Sequence, residues 1–507
     1  LIFSIFLKAL TNYLMIRYTC MLEYRLGKRL TRGFLNNSYS WFLHQHSANL
    51  TKTIITETNI VVSKTVLPFI NFLVYSLTSS GILLLLCYVN FNLAIKLGSS
   101  LILFYLLTFY FCKKILYHVG VVRAKANEGK FKSIKDAFGA IKEVKFLNIE
   151  NLYTRRFATP ALQVAYSEIK SNVISFIPRY AVEAICFGGI IFSILYLIGN
   201  NKPFIEFLPL FTLYAFAGYR LIPSLQQVYF ATTRIRYSYP AVMAIYKYTK
   251  EFNLYEKNKE IKAMDFNESL ELKNISYSYP NTNMKSLKDI NINIKANSKV
   301  GIIGSTGSGK STLIDLILGI IEPQEGNLII DKKIINKQNF KSWKKNIGYV
   351  PQQIFLIDES IKSNIAFGLE DHDIEEDLVI NAAKTAKIHE FITNDLPEGY
   401  NTKIGEGGIR LSGGQKQRLA IARALYRKPK VLVFDEATSA LDNYIEKQIM
   451  DDLYSLNKNL TMIIIAHRLN TIKKCDNIFL LDKGKILAQG KFEEIQNSSN
   501  LFIDEKN

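Results

Sequence analysis

The sequence predicts a multi-domain membrane protein in which an all-α transmembrane domain precedes an α/β domain. Two contrasts between the halves of the 507-residue chain indicate this fold class. Residues 1–260 hold 30 Lys and Arg against 12 Asp and Glu, whereas residues 261–507 hold 33 against 32. The basic half also carries long apolar runs, while the second half alternates short β-branched runs with helical patterns. The excess positive charge therefore belongs to the apolar half.

Four apolar segments of the basic half are long enough to cross a bilayer, which takes about 20 mostly apolar residues. They lie at 67–89, 91–112, 174–199 and 204–222. A fifth run, Leu1–Ile16, is predicted to be the tail of a membrane helix whose beginning is missing. Burial in a soluble core is the alternative for a single run, but two close pairs of such runs are hard to enclose in a soluble domain.

The loop charges predict the orientation of these helices, because Lys and Arg concentrate on the cytoplasmic side of a membrane. The turn at 89–91 carries no charge and the loop at 200–203 carries one lysine, so both hairpins are predicted to point outward. The basic stretches 17–66 and 113–173 are predicted to form long cytoplasmic helices. A basic chain also suits nucleic acid, but no nucleic-acid motif accompanies the charge, so no nucleic-acid partner is expected.

Strand-like runs separated by helical segments predict an α/β fold with a largely parallel sheet in the second half. These runs lie at 300–303, 327–330, 347–350, 431–434, 461–466 and 477–481. Open α/β sheets place their ligands at the carboxyl ends of the strands. The residues that follow each run are therefore the candidates for chemistry.

The first of these runs leads into a stretch that matches the phosphate-binding pattern GxxxxGK[ST]. The residues are Gly304, Ser305, Thr306, Gly307, Ser308, Gly309, Lys310, Ser311 and Thr312. Glycines let backbone N–H groups converge on phosphate oxygens, and the N-terminus of the following helix favours negative charge. Lys310 is expected to reach the β- and γ-phosphates of ATP, and the Ser311 hydroxyl is expected to ligate Mg²⁺.

Two carboxylates, Asp435 and Glu436, end the apolar run at 431–434. Asp435 is expected to join the Mg²⁺ ligands, and Glu436 to polarise the attacking water as general base. A buried strand that ends in Asp-Glu is weak evidence by itself. Its position after a phosphate loop makes it a candidate for the catalytic strand.

The pentapeptide Leu411-Ser412-Gly413-Gly414-Gln415 makes the chain resemble the ATP-binding cassette (ABC) family. In that family this loop faces the phosphate loop of a second cassette. The resemblance therefore implies that ATP is sandwiched between two subunits and contacts Ser412, Gly413, Gly414 and Gln415.

The same resemblance implies roles for residues in four other motifs. Tyr279 would stack on adenine, and Gln352 would bind Mg²⁺ and report the nucleotide state to the membrane domain. Ser439 and Asp442 would belong to the loop that crosses the dimer interface. His467 would contact the γ-phosphate, and a satisfied core histidine is the alternative for this residue alone.

The resemblance covers the whole chain and is to half-transporters of the ABC exporter type. It implies a six-helix membrane domain, truncated at its N-terminus, over 1–250, a linker over 251–262 and an ATP-binding domain over 263–507. Every catalytic motif is intact, which favours a C₂ homodimer, although a heterodimer also fits the sequence. The implied cofactors are ATP and Mg²⁺, and the implied location is the bacterial inner membrane with the ATP-binding domain in the cytoplasm.

Two stretches, 177–189 and 217–227, resemble exporters that flip lipid-linked oligosaccharides. Charges within a membrane usually face a cavity or a partner, and Arg suits phosphate oxygens. Arg179, Glu183 and Arg220 are therefore the candidate substrate residues for an anionic, lipid-linked pyrophosphate sugar. The alternative is an Arg179–Glu183 ion pair and an Arg220 that reaches to the interface. Competing functions are export of a lipid A-type lipid, a peptide or a drug, and an ABC ATPase without transport.

Overall fold

The computed structural model describes residues 2–199, 204–252, 262–280, 282, 284–436, 443–456, 459–465 and 472–498. It divides the chain into two compact units, with the main boundary between Tyr255 and Glu256. The first unit is helical, and the second contains two sheets and several helices. The predicted fold class, an all-α domain followed by an α/β domain, is confirmed.

Long helices make up the first unit, as expected of segments that must bond their own backbone polar groups in lipid. The helices are α1 (Ile2–Leu35), α2 (Tyr39–Phe42), α3 (Ser47–Val89), α4 (Phe91–Gly139), α5 (Ile141–Phe146), α6 (Glu150–Gly199) and α7 (Phe204–Glu251). Asn90 ends α3 with an extended backbone, at φ −149°, and so forms the predicted turn at 89–91. The two long helical stretches predicted between the apolar segments are present as parts of α1 and α3 and of α4 and α6.

Two helices of the described residues are long and apolar enough to cross a membrane, judged by length and composition. They are Ser47–Val89 and Ala94–Gly139, with mean hydropathy of 1.9 and 1.6. Only 11% and 12% of their most apolar segments is buried, and Leu84 and Phe111 are both exposed. Apolar surface of this extent requires lipid or protein to cover it. The other two predicted spans lie in α6 and α7, where some side chains fall outside the described residues.

A group of charged and aromatic side chains, with one buried and one half-buried ion pair, joins the four long helices α3, α4, α6 and α7. We call it the Tyr237 cluster, and it consists of Glu57, Lys64, Arg123, Glu168 and Tyr237. Arg123 Nη2 donates to Glu57 Oε2 at 3.1 Å, and these side chains are 2% and 1% exposed. Lys64 Nζ donates to Glu168 Oε1 at 2.5 Å, and the Tyr237 hydroxyl donates to the same oxygen at 2.9 Å. The Tyr237 ring also lies against both cations, 5.2 Å from Lys64 Nζ and 5.7 Å from Arg123 Cζ.

Helix α3 is distorted where it supplies its two members of the Tyr237 cluster. The turns Thr53–Glu57 and Val62–Val66 are π-helical, and they contain Glu57 and Lys64 respectively. A π-turn accommodates one extra residue and is rare outside sites with a specific requirement. The distortions therefore coincide with the places where α3 directs a charged side chain to a neighbouring helix.

The second unit has ten strands within its described residues. They are β1 (Ser269–Tyr277), β2 (Leu287–Lys295), β3 (Lys299–Gly304), β4 (Glu325–Ile330), β5 (Lys333–Ile334), β6 (Ile347–Val350), β7 (Val431–Asp435), β8 (Thr461–Ile465), β9 (Asn477–Asp482) and β10 (Lys485–Gly490). One sheet has the order β10-β9-β3-β8-β7-β6, in which all neighbours are parallel except β10 and β9. The other sheet is antiparallel, in the order β2-β1-β4-β5.

The prediction of a largely parallel sheet is right for the six-stranded sheet but omits the antiparallel one. Strand β2 alternates buried and exposed residues along LKDININIK, as a strand with one covered face does. In contrast, β8 is buried at every position, and β7 at every position except its last. Continuous apolar runs of that kind were the signal on which the sequence prediction relied.

Helices of the second unit connect these strands. They are α8 (Lys310–Ile317), α9 (Phe340–Lys344), α10 (Ile361–Ile365), α11 (Glu376–Thr385), α12 (His389–Asn394), α13 (Gly413–Tyr426), α14 (Asn443–Leu456) and α15 (Phe492–Ser498). Helix α8 begins within the phosphate-binding pattern, at Lys310, and α13 begins within the pentapeptide, at Gly413, so both motifs lie at helix N-termini.

Replacing Glu57 by Gln is expected to destabilise the helical unit, because Arg123 would keep its charge in a buried position without a carboxylate. Removing one partner of a buried ion pair costs about 3–5 kcal/mol. Thermal unfolding of the purified protein in detergent should therefore begin at a lower temperature in the variant.

Glu150→Gln is the matched control for this substitution. It breaks the Lys145–Glu150 pair, whose side chains are 66% and 44% exposed, so the unfolding temperature should stay nearly unchanged. Equal effects of the two substitutions would contradict the stabilising role of the Tyr237 cluster.

Candidate active site

The parallel pairing of the six-stranded sheet brings the candidate residues to one edge. Asp435 at the end of β7 lies opposite Ile465 at the end of β8, and Ile465 is paired on its other side with Ile302 of β3. Strand β6 runs parallel to β7 on the far side. The phosphate loop after β3, the carboxylates at the end of β7 and the loop after β6 therefore meet at the carboxyl edge of the sheet.

The loop between β3 and α8 has a backbone that only glycine accommodates at two points. A Cβ on Gly304 would lie 2.1 Å from the Leu481 carbonyl oxygen. Gly309, the N-cap of α8, has φ 107°, and a Cβ there would lie 2.8 Å from the Ser286 oxygen. The loop thus passes close to neighbouring backbone and presents its own amides at the N-terminus of α8, where an anion is favoured.

Lys310 lies in the centre of this loop and is only 7% exposed. Its Nζ donates to the Gly304 oxygen at 2.8 Å and to the Ser305 oxygen at 3.0 Å. Burial lowers the pKa of Lys310, and the charges of Glu436 and Asp435 oppose that shift. The ammonium group is therefore held inside the loop and faces the two carboxylates of β7.

The two carboxylates at the end of β7 each accept a hydrogen bond from the β6 segment. The Tyr349 hydroxyl donates to Asp435 Oδ2 at 3.2 Å, and Gln352 Nε2 donates to Glu436 Oε2 at 2.6 Å. Glu436 has φ 51°, and its N–H donates to the Ile465 oxygen at 3.1 Å. A residue other than glycine with positive φ is uncommon and often occurs at functional sites.

Asp315 is a charged neighbour of the site that the sequence did not single out. It lies on α8 one turn after Ser311, and burial followed by the charge of Asp435 raises the pKa of Asp315 to about 6. Burial also raises the pKa of Asp435, with a contribution from Glu436, while Tyr349 and Lys310 oppose the shift. The edge therefore gathers three carboxyl groups around one lysine.

Tyr279 lies beside the first turn of α8, as its predicted role at the nucleotide requires. Its hydroxyl is 3.3 Å from Thr312 Oγ1, and its ring packs edge-on against Tyr277 at 5.3 Å between centroids. Burial raises the pKa of Tyr279. The free face of a half-buried aromatic ring is the kind of surface that a purine base stacks on.

The pentapeptide turn is built as a helix cap. The Ser412 hydroxyl accepts from the Gln415 N–H at 3.3 Å, and Gln415 Oε1 accepts from the Ser412 N–H at 2.7 Å, which is a complete capping box. Leu411 is buried, whereas Ser412 and Gly413 are exposed. The turn is thus anchored at one end and presents a helix N-terminus to its surroundings.

Three predicted site residues, Ser439, Asp442 and His467, lie outside the described residues. They follow β7 and β8 in the chain. Their predicted roles stay predictions.

The residues at the sheet edge fit the phosphates of ATP and a magnesium ion. Ser308 is 2% exposed, and its hydroxyl has no hydrogen-bond partner among the described residues, so the loop holds a buried donor for an anion. The excess of carboxyl groups over lysine suits a divalent cation. Within the described residues, no group of three or more His, Cys, Asp and Glu side chains could hold a metal ion.

Comparison with known proteins tests the family that this geometry suggests. The family model described as ABC transporter matches residues 287–439. ABC transporter B family member 14 of Arabidopsis thaliana is 44% identical over 234 residues, which cover 46% of this chain and 18% of the plant protein. The ATP-dependent lipid A-core flippase of Saccharophagus degradans is 42% identical over 235 residues, which cover 46% of this chain and 39% of the flippase.

A solved structure, that of a bacterial Atm1-family ABC exporter with ATP bound, is similar over nearly the whole chain. The TM-score is 0.86 at 25% identity, and the match covers 99% of this chain and 88% of the exporter chain. The second unit is the ATPase domain of an ABC transporter. Joined to the helical unit, it gives the chain the fold of an ABC exporter, and the domain binds ATP. The curated relatives are matched over well under half of their length.

The three candidate substrate residues that the sequence predicts lie on helices α6 and α7. Arg179 Nε donates to Glu183 Oε1 at 2.6 Å, so the ion pair weighed as the alternative is present in the structure. The two side chains are 43% and 31% exposed. Arg220 is exposed on α7, and its guanidinium carbon lies 5.9 Å from the Phe216 ring. The described contacts do not bring Arg220 together with the pair on α6.

Proposed function

We propose that the chain is one subunit of a dimeric exporter that uses ATP to move a substrate across a membrane. The observation that carries this proposal is the union, in one chain, of an ABC ATPase domain with a unit of long, outwardly apolar helices. One chain supplies one phosphate loop and one exposed turn at 412–415. A second copy would complete two nucleotide sites, and a closed C₂ pair of identical chains is the simplest assembly.

The proposed location is the bacterial inner membrane, with the ATPase domain in the cytoplasm. The charge distribution supports this orientation, because 19 of the 30 Lys and Arg residues at 1–260 lie at 17–66 and 113–173, and the turn at Asn90 has none. Basic residues beside a membrane are also attracted to its anionic lipids.

The proposed reaction is ATP hydrolysis at the carboxyl edge of the sheet, with Mg²⁺ supplying positive charge to the phosphate oxygens when bound. Lys310 would bind the terminal phosphates, and Ser311, Asp435 and Gln352 would hold the ion. Glu436 would accept a proton from the attacking water. Its hydrogen bond from Gln352 orients this carboxylate and links it to the loop after β6.

Other residues would complete the nucleotide site, partly from the second copy. Tyr279 would stack on adenine, and His467 would contact the γ-phosphate. The turn at 412–415 of one subunit would close over the phosphate loop of the other, and Ser439 and Asp442 would lie at the contact between the ATPase domains. Closure of this contact would then be the step that drives the helices.

Glu436→Gln is expected to reduce ATP turnover by at least about 100-fold, the usual contribution of a general base. Binding of ATP should persist, because the substitution keeps the side-chain shape and leaves the phosphate loop intact. The measurements are phosphate release and the amount of ATP that stays with the dimer on gel filtration. Glu390→Gln, on an exposed carboxylate of α12, is the control and should retain full turnover. Full turnover in Glu436→Gln would reject Glu436 as the base.

The proposed substrate is a lipid-linked oligosaccharide or a similar polyprenyl-pyrophosphate glycolipid. Arg179 and Arg220 are the candidate phosphate contacts, since a guanidinium group binds phosphate oxygens with several donors. The bond to Glu183 uses Arg179 Nε and holds the side chain in one orientation, while 43% of that side chain is exposed. Glu183 therefore serves in this proposal as the residue that orients Arg179.

Arg179→Ala and Arg220→Ala should each reduce flipping of a polyprenyl-pyrophosphate oligosaccharide in proteoliposomes by at least about tenfold, the effect of losing one charged hydrogen bond. ATP hydrolysis without substrate should be unchanged. Glu183→Gln is the discriminating control, because it removes the ion pair but keeps Arg179. A smaller loss in Glu183→Gln than in Arg179→Ala is expected of an orienting residue, and unchanged flipping in Arg179→Ala and Arg220→Ala would reject the substrate contact. Flipping of a lipid A-type glycolipid instead of the oligosaccharide would assign the competing cargo.

A further inference from the structure

Strand β6 and the loop after it each contact one of the two carboxylates at the end of β7. One contact comes from a residue within the paired strand, and the other from an exposed residue of the loop. Tyr349 lies within β6, opposite Val433 of β7, and it donates to Asp435. Gln352 lies two residues beyond the strand, is exposed, and donates to Glu436. One short segment therefore holds one carboxylate from a paired strand and the other from a surface loop.

The position of the Tyr349 ring is fixed by packing. The ring contacts the apolar core that includes Leu313, Leu316 and Val433 and lies between the two sheets and α8. A tyrosine hydroxyl carries its proton at neutral pH, so Tyr349 is the donor in its hydrogen bond to Asp435 Oδ2. The hydroxyl is thus a fixed hydrogen-bond donor that reaches from the core to the sheet edge.

The hydrogen bond from Tyr349 restricts what Asp435 can do. It occupies Oδ2 at 3.2 Å and so limits rotation of the carboxylate about its own axis. Without the tyrosine hydroxyl, the Asp435 carboxylate would lose the hydrogen bond that the core makes to its Oδ2. Groups that orient a metal ligand typically change metal affinity by about 10–100-fold when they are removed.

We propose that Tyr349 is a positioning residue that fixes the Asp435 carboxylate for the metal ion of bound nucleotide, independently of Gln352, which contacts Glu436. The inference rests on the proposed role of Asp435 as a Mg²⁺ ligand. Tyr349 does not touch the nucleotide in this account, and it acts only through Asp435. Loss of its hydroxyl is therefore expected to change the metal requirement and to leave metal-free nucleotide binding intact.

The test uses Tyr349→Phe in the full-length chain, with Mn²⁺ as the probe ion because its binding is visible by electron paramagnetic resonance. In the presence of ATP, the variant should bind Mn²⁺ about tenfold more weakly than the unmodified protein. Binding of a fluorescent ATP analogue in EDTA should agree within about twofold. The Mg²⁺ concentration for half-maximal ATP hydrolysis should rise by a similar factor, and saturating Mg²⁺ should restore most of the maximal rate.

Tyr400→Phe is the matched control, because it also removes a half-buried tyrosine hydroxyl, one that lies 2.8 Å from His389 Nδ1. It should leave Mn²⁺ binding unchanged. Unchanged Mn²⁺ affinity in Tyr349→Phe, or an equal loss of metal-free ATP binding, would overturn the proposal. Asp435→Asn distinguishes a failure of the proposed metal site from a failure of the proposed role of Tyr349. If Asp435→Asn leaves Mn²⁺ binding intact, the proposed metal site is wrong. If Asp435→Asn weakens Mn²⁺ binding and Tyr349→Phe does not, only the role of Tyr349 is wrong.

Discussion

The parallel pairing of β3, β8, β7 and β6 is the constraint on which the rest of the site depends. Parallel strands end at the same edge, so one pairing scheme places the phosphate loop, Asp435, Glu436 and Gln352 together although they are far apart in the chain. The strands can be buried on both faces because they consist almost entirely of apolar residues. A core of ordinary hydrophobic packing thereby fixes the relative positions of all the charged groups.

Carboxyl groups outnumber the lysine at this edge. Lys310 is held by two loop carbonyls and faces Asp435 and Glu436, while Asp315 adds a third carboxyl group nearby. Burial raises the pKa of Asp435 and Asp315 and lowers that of Lys310. The site is therefore costly to keep charged in the absence of ligand. A divalent cation that accompanies a polyanion would relieve this cost.

The helical unit shows a different use of buried charge. The two ion pairs of the Tyr237 cluster join residues that are 66 and 104 positions apart in the sequence. Together the members of the cluster connect four helices. In some proteins, buried ion pairs contribute little to the free energy of unfolding and instead favour one specific packing of the helices. In long helices with similar apolar faces, such pairs distinguish one arrangement of the helices from others.

The features that the sequence predicts well are those encoded locally. The phosphate loop needs glycine, lysine and serine at fixed spacing. The Arg179–Glu183 pair follows from a spacing of four on a helix. Each of these can be recognised within a few residues of chain.

The features that the sequence does not predict depend on register between distant segments. Tyr349 and Asp435 are 86 residues apart, and their bond exists only because β6 and β7 pair in one register. The antiparallel sheet was missed because β1 and β2 carry polar residues at alternate positions and lack the continuous apolar runs of the buried strands. The π-turns of α3 likewise have no local signature, since they arise where α3 meets the Tyr237 cluster.

The central claim is that nucleotide at the sheet edge controls the arrangement of the helices in a dimer. Spin labels at position 88 would report the arrangement of the helices directly. This position holds a tyrosine that is 94% exposed and lies next to the turn at Asn90. Distances between the two labels of a cysteine-free dimer carrying Tyr88→Cys are measured in proteoliposomes without nucleotide and with Mg²⁺ and ATP. The account predicts two different distance distributions, and superimposable distributions would contradict it.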